Sequence, residues 1–274
     1  MSSNQESIVR TLVVALVVSL VASIFVAGSA VTLKPIQQKN ALLDKQRSIL
    51  AIAGIEGSRL SADEVRALFE RRIKAEVIDL ATGETTREYD PLTFDPLKVA
   101  KDQNISRALP GKEDIAFIKR REQYTTVYRL EAIDGSGELE ALILPVRGYG
   151  LWSTLYGFLA IKPDLNTVVG LGFYQHGETP GLGGEVDNPA WKKLWQGKTL
   201  FDANGRPDIE VVKGGVPPGS QKAGHQVDAL AGATLTSKGV NNLLTFWLGE
   251  QGFGPYLERL RRDMATPENQ EEEE

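Results

Sequence analysis

At 274 residues, 42% of them hydrophobic and 24% charged, the chain has apolar material for one or two folded domains. Its net charge of −5, without a basic stripe interleaved with aromatics, argues against a nucleic-acid partner. Cysteine is absent, which excludes disulfides, thiolate zinc sites and cysteine-held iron–sulfur clusters, and the only histidines, His176 and His225, offer little for an imidazole-based site. Any redox chemistry therefore calls for an organic cofactor.

Between Arg10 and Lys34 runs an uncharged segment, about residues 11–33. As a helix it crosses a hydrocarbon core of roughly 30 Å and makes membrane lipid a partner. The competing reading is a cleaved signal peptide with Gly28, Ser29 and Ala30 as the small-residue site. The run exceeds a usual signal core of roughly 7–15 residues, and Glu6 partly offsets Arg10, so a retained anchor is favoured. Lys34, Lys39 and Lys45 outnumber Arg10 across the span and, counted alone, would leave the large domain in the cytoplasm. A long domain can translocate despite such charges, so they leave the side undecided.

After Pro35, helical spacing continues to Gly54 as a stalk helix. Ser61 and Glu64 form a capping box before a helix that buries Val65, Leu68 and Phe69. The segment 74–80 reads as a strand closed at Thr82-Gly83. Residues from about 84 to 112 are polar, carry Pro91, Pro96 and Pro110, and read as surface connection with one short helix. Strands follow at 125–133 and 139–146 around Asp134-Gly135-Ser136-Gly137, then at 155–162 and 167–175 around Pro163-Asp164-Leu165-Asn166. A short helix starts at Asn188-Pro189, and 209–215 gives another strand. Without regular βαβ alternation, the fold class is mixed α/β (α+β) with a mainly antiparallel sheet. The expected divisions are 1–34 with the span, 35–80 for the stalk and domain entry, 81–262 for the soluble domain, and 263–274 as a solvated acidic tail.

The segment DALAGATLTS, Asp228 to Ser237, precedes a helix with Val240, Leu243, Leu244, Trp247 and Leu248 on one face. Thr236 or Ser237 is the expected N-cap and Gly249 or Gly252 the stop. Thr234 then lies at a helix N-terminus, where unpaired N–H groups and the helix dipole favour a phosphate, while Gly232 and Ala233 leave room for a bulky group. On local physics alone, the plainer reading is favoured, that these hydroxyls are only helix caps. Glu178 to Glu185 is a glycine-rich turn able to approach a planar ring, or an ordinary loop; it lacks the spacing of a dinucleotide fingerprint. Trp152, Trp191 and Trp247 read as core or membrane-proximal packing and not as a stacking platform, His176 as a surface residue, and His225 beside Asp228 as no hydrolase pair, since no nucleophile elbow accompanies it.

DALAGATLTS resembles the flavinylation motif of the FMN-binding domain family, in which an FMN transferase esterifies the phosphate of FMN to the threonine after Gly-Ala, here Thr234. Ala231 departs from the usual Ser or Thr at its position, which is not the attachment point. The blocks LDKQRSILAIAGIE, LPVRGYGLW, QHGETPGLGGEVDNPAWK and FWLGEQGFGPYL resemble, in order, the C subunits of sodium-translocating NADH:quinone reductases. The G subunits of Rnf electron-transport complexes share the flavin motif but match the stalk and ending less well. The resemblance implies covalent FMN on Thr234, lined by Glu178, Thr179, Gly181, Leu182, Gly183, Gly232, Ala233, Leu235 and Thr236. Lys213 is either a charge partner for the flavin phosphate or a solvated strand-end lysine. The resemblance also implies an electron-transfer subunit, not catalytic alone, among the other subunits of a six-subunit complex in the bacterial inner membrane, its domain periplasmic. The alternative from another class is an anchored scaffold whose Thr234 is never modified.

Overall fold

The computed structural model describes residues 8–55 and 60–265. The acidic run 267–274 and the segment around Glu6 lie outside them. Two compact units divide the chain, Met1–Lys45 and Gln46–Glu274. The first consists of the helix α1 (Ile8–Ile52) up to Lys45, so the expected span and stalk are one helix carrying Pro35 within it. Among the described residues α1 is the helix long and apolar enough to cross a membrane. Its last turn belongs to the second unit, where Ile49 and Leu50 are buried. It ends where the sequence places its stop. Gly54 takes a positive φ of 88°, and the amides of Gly54 and Ile55 return to the carbonyls of Ala51 and Leu50, a Schellman termination.

The second unit continues with α2 (Ala62–Arg72), whose Ser61–Glu64 capping box forms as the spacing requires, with Val65 and Phe69 buried. Then come β1 (Ile73–Asp79), β2 (Thr85–Thr86), the short α3 (Pro96–Val99), β3 (Ser106–Ala108) and β4 (Arg120–Glu122). The long strands are β5 (Tyr124–Glu131), β6 (Leu139–Tyr149), β7 (Thr154–Ile161) and β8 (Val168–Gln175). They are followed by α4 (Pro189–Lys193), β9 (Glu210–Val212), β10 (Gln226–Asp228), α5 (Thr234–Leu248) and α6 (Gly254–Ala265). One six-stranded sheet, ordered β2-β1-β5-β6-β7-β8, is antiparallel throughout; β3 and β4 form a small antiparallel pair, and β9 and β10 a parallel one. This is the mainly antiparallel α+β class that the strand-and-turn pattern implies.

One face of the sheet meets α5. Leu142, Leu144 and Val146 of β6 share a core with Leu155 and Leu159 of β7 and with Val240, Leu243 and Leu244 of α5. The helix sits close because both sides offer glycine. A Cβ on Gly148 would stand 2.5 Å from the Leu243 Cβ, and one on Gly239 would run into the Tyr149 carbonyl. Trp247 is fully buried and donates from Nε1 to the Arg147 carbonyl at 2.7 Å, fixing the helix along β6. Beneath it, Arg147 and Glu122 form a buried two-pronged ion pair with both N···O distances at 2.5 Å. Burial pulls the Arg147 pKa down, but the adjacent Glu122 carboxylate outweighs it and holds the pKa above the ordinary value. That pair explains why Arg120–Glu122, charged and unpromising as a sequence, is a strand. Between Thr85 and Lys112 the polar connection contains the expected short helix, but also β2 and β3, which the prolines had masked.

Candidate functional site

The helix α5 begins earlier than its hydroxyl residues suggested. Its N-cap is Ala233, which offers no side-chain cap, and Thr234 is the first helical residue. Neither Thr236 nor Ser237 caps it: Thr236 Oγ1 donates to Glu178 Oε2 at 2.6 Å, and Ser237 Oγ accepts from the Leu230 amide at 3.0 Å. Both hydroxyls are spent on tertiary contacts, so the first amides of α5 are left without a capping side chain. Thr234 itself is exposed. Gly232, two residues before it, takes φ 71°, a left-handed turn that an L side chain would strain.

Glu178 organises the surroundings. It is only 5% exposed, and its carboxylate accepts from the amides of Leu151, Trp152 and Ser153 as well as from Thr236. Three segments meet on this one side chain: the turn between β6 and β7, the loop after β8, and the first turn of α5. Burial raises the Glu178 pKa, but the donors, Thr236 foremost and then Trp152, Ser153 and Leu151, together bring it below the usual carboxylate value. The neighbouring glycines follow from this packing. A Cβ on Gly150 would sit 2.7 Å from Glu178 Oε1, and one on Gly183 would sit 2.5 Å from Thr236 Oγ1.

The glycine-rich loop then rises to the surface. Thr179 is exposed, and its carbonyl accepts from the amides of Leu182 and Gly184. Gly181 takes φ 75°, and a short 3-10 turn, Gly183–Asp187, follows. Leu182 is exposed and approaches the 230–234 turn, its Cδ2 lying 3.2 Å from where a Gly232 Cβ would be. The structure thus brings Glu178, Thr179, Gly181, Leu182 and Gly183 together with Gly232, Ala233, Thr234, Leu235 and Thr236. Within that group Thr234, Leu182 and Leu235 are exposed, whereas Glu178, Gly183, Ala233 and Thr236 are buried supports.

Lys213 is exposed beyond the end of β9. Its strand runs parallel to β10 with Val212 opposite Asp228. Asp228 accepts from the Val216 amide at 2.7 Å through Oδ1, and its carbonyl accepts from Trp191 Nε1 at 2.8 Å. The acidic residue that opens the motif is therefore a brace for the Gly214-Gly215 turn.

One expectation needs correcting. His176 is not a free surface histidine: its Nε2 lies 2.8 Å from Asp187 Oδ2 and its Nδ1 accepts from the Glu178 amide, so it latches the glycine loop. His225 lies 3.9 Å from Asp208, and no hydrolase pair was expected of it. Trp191 and Trp247 pack in the core, but Trp152 is 66% exposed on the turn that Glu178 holds. Sequence reading missed Leu151, Trp152 and Ser153 as partners of Glu178, because backbone amides leave no mark in residue type. Gly150, which a Cβ would drive into that carboxylate, is the one signal that pointed there.

The profile of the FMN-binding domain family matches residues 150–249, from the Glu178-bound turn to the end of α5. Over 96% of this chain, the sequence is 66% identical to the C subunit of the Na(+)-translocating NADH-quinone reductase of Pseudomonas aeruginosa, covering 100% of that protein. The corresponding C subunit of Yersinia pestis is 49% identical over 94% of this chain and 95% of its own length. Among solved structures, Shewanella oneidensis NqrC superposes with a TM-score of 0.73 at 37% identity, covering 83% of this chain and 99% of that one. The C subunit of the Parabacteroides distasonis reductase gives 0.62 at 29% identity, over 82% and 96%. The chain belongs to the family of C subunits of Na(+)-translocating NADH-quinone reductases, and the stretch that matches the FMN-binding domain includes Thr234.

Proposed function

We propose that this chain carries FMN esterified through its phosphate to Thr234 Oγ1 and serves as an electron-transfer subunit of a sodium-pumping NADH:quinone reductase. The observation that carries the reading is the exposed Thr234 hydroxyl at an uncapped helix N-terminus. The residues present fit the group. The first amides of α5 and its dipole favour a phosphate there, and the Gly232 turn keeps bulk away from the threonine. Leu182 and Leu235 offer exposed apolar surface for a planar ring. Thr179 and Gly181 supply backbone beside that surface, and Glu178, Gly183, Ala233 and Thr236 hold the site from beneath.

Bound there, FMN supplies the redox chemistry that a chain without cysteine lacks. The protein's own contribution is attachment and orientation. Glu178 fixes the glycine loop and α5 in one frame, and the buried ion pair and Trp247 fix α5 to the sheet. Attachment depends on an FMN transferase, and electron delivery on the other five subunits. The uncharged length of α1 anchors the chain in membrane lipid by a single pass, with the domain on the periplasmic side. The span contains no ionisable residue between Arg10 and Lys34, so ion conduction falls to partner subunits.

A denaturing gel of membranes from a host that makes the transferase tests the covalent reading. The band should fluoresce under ultraviolet light, and Thr234→Ala should abolish the fluorescence while leaving the band. A dark wild-type band would contradict the proposal and favour the unmodified scaffold.

A further inference from the structure

Away from Thr234, a cleft of about 650 Å³ opens between the small β3–β4 sheet, the loop after Leu200 and the corner joining α5 to α6. Four arginines, Arg107, Arg121, Arg206 and Arg261, line it with two glutamates, Glu250 and Glu258; Glu113 pairs with Arg107, so one positive charge is left in excess. Arg121 is 6% exposed and donates from Nη1 to the Gln251 carbonyl at 2.8 Å, but its buried Nε has no partner. A buried guanidinium donor left unmatched is costly, and it is the feature a ligand would relieve. Desolvation, then the nearby Arg107 charge, pushes the Arg121 pKa down against the opposing pull of Glu122 and Asp79.

The other arginines are held differently. Arg261 lies over the Phe201 ring, 4.6 Å from its centroid, and donates from Nη2 to the Leu165 carbonyl at 3.2 Å. Arg107 is engaged by Glu113. Arg206 is exposed and makes no direct ion pair among the described residues. Planar, multi-donor guanidinium groups suit an oxyanion, which they can meet with paired hydrogen bonds. The volume exceeds what a bare phosphate fills and leaves room for an organic portion.

We propose that this cleft is a second ligand site, taking an organic phosphate whose charged end meets Arg121 and Arg206. The source is either a soluble phosphomonoester or pyrophosphate, or the headgroup of an anionic lipid. The site does not rest on the flavin reading.

Inorganic pyrophosphate titrated calorimetrically into the full chain in phosphatidylcholine nanodiscs tests it. Saturable one-site binding is expected, weakened at least tenfold by Arg206→Gln, an exposed change that spares the fold, and more strongly by Arg121→Gln. Lys74→Gln, on the remote β1, should leave the affinity unchanged. Nanodiscs containing phosphatidylglycerol separate the sources: a lowered pyrophosphate affinity there assigns the cleft to a lipid headgroup, and an unchanged affinity assigns it to a soluble phosphate. Absence of saturable binding, or binding indifferent to Arg206→Gln, overturns the proposal.

Discussion

Thr236 Oγ1 donates a 2.6 Å hydrogen bond to Glu178 Oε2, tying the first turn of α5 to a loop 58 residues earlier in the chain. The hydroxyl two residues beyond Thr234 is thus a strut and is buried, while Thr234 is exposed. Glu178→Gln keeps the shape but leaves one acceptor oxygen facing four donors. The substitution should cost about 2–3 kcal/mol, read as a lowered urea midpoint at neutral pH.

The same contact sets a pH dependence. The folded pKa of Glu178 lies below its unfolded value, so its contribution is complete above the ordinary carboxylate value of 4.5 and is lost as pH falls through the lower folded pKa. Wild type should therefore lose stability below about pH 4.5, and Glu178→Gln should lose less over that range. Parallel urea titrations at pH 7 and pH 3.5 would show it; equal losses in both proteins would remove Glu178 from the acid response.

Gly239→Ala separates helix propensity from packing. On an exposed helix the change gains about 1 kcal/mol. Here the new Cβ would run into the Tyr149 carbonyl, so a net loss of about 1–3 kcal/mol is expected, with less flavin attached at Thr234 because α5 must shift. Thermal unfolding and gel fluorescence read the two effects together.

How far the sequence was legible depended on whether a residue's partner was local. The Ser61–Glu64 box, the Gly54 stop, the Asn188 cap and the four long strands all rest on near neighbours, and all form. The start of α5 was misread because Thr236 and Ser237, good local caps, were drawn to Glu178 and Leu230. The strand at Arg120–Glu122 was invisible because only Arg147, 25 residues later, makes Glu122 a core residue. His176 looked free because Asp187 lies across the loop. Motif residues around Thr234 were legible as a segment, but the division into exposed and supporting residues came only from the fold.

The buried Arg147–Glu122 pair should behave asymmetrically. Glu122→Gln strands a buried guanidinium and should cost about 3–5 kcal/mol. Replacing both partners by Met at 147 and Leu at 122 should recover most of that loss, since an apolar pair escapes the desolvation penalty. Urea unfolding of the single and double variants gives the comparison; equal losses would mean that the ion pair supplies net stability an apolar pair of similar shape does not replace.

Orientation in the membrane can be read cleanly because the chain has no cysteine of its own. Ser136→Cys places a thiol on the exposed turn between β5 and β6. A membrane-impermeant maleimide should label it in spheroplasts if the domain is periplasmic. Labelling that requires lysis would put the domain in the cytoplasm, as the flanking lysines alone suggest.

Mass mapping of the tryptic peptide Ala223–Lys238 from native membranes tests the central claim most directly. Covalent attachment predicts a mass increased by FMN less one water, with fragment ions placing it on Thr234. The same peptide recovered wholly unmodified, or modified on Thr236, would contradict it.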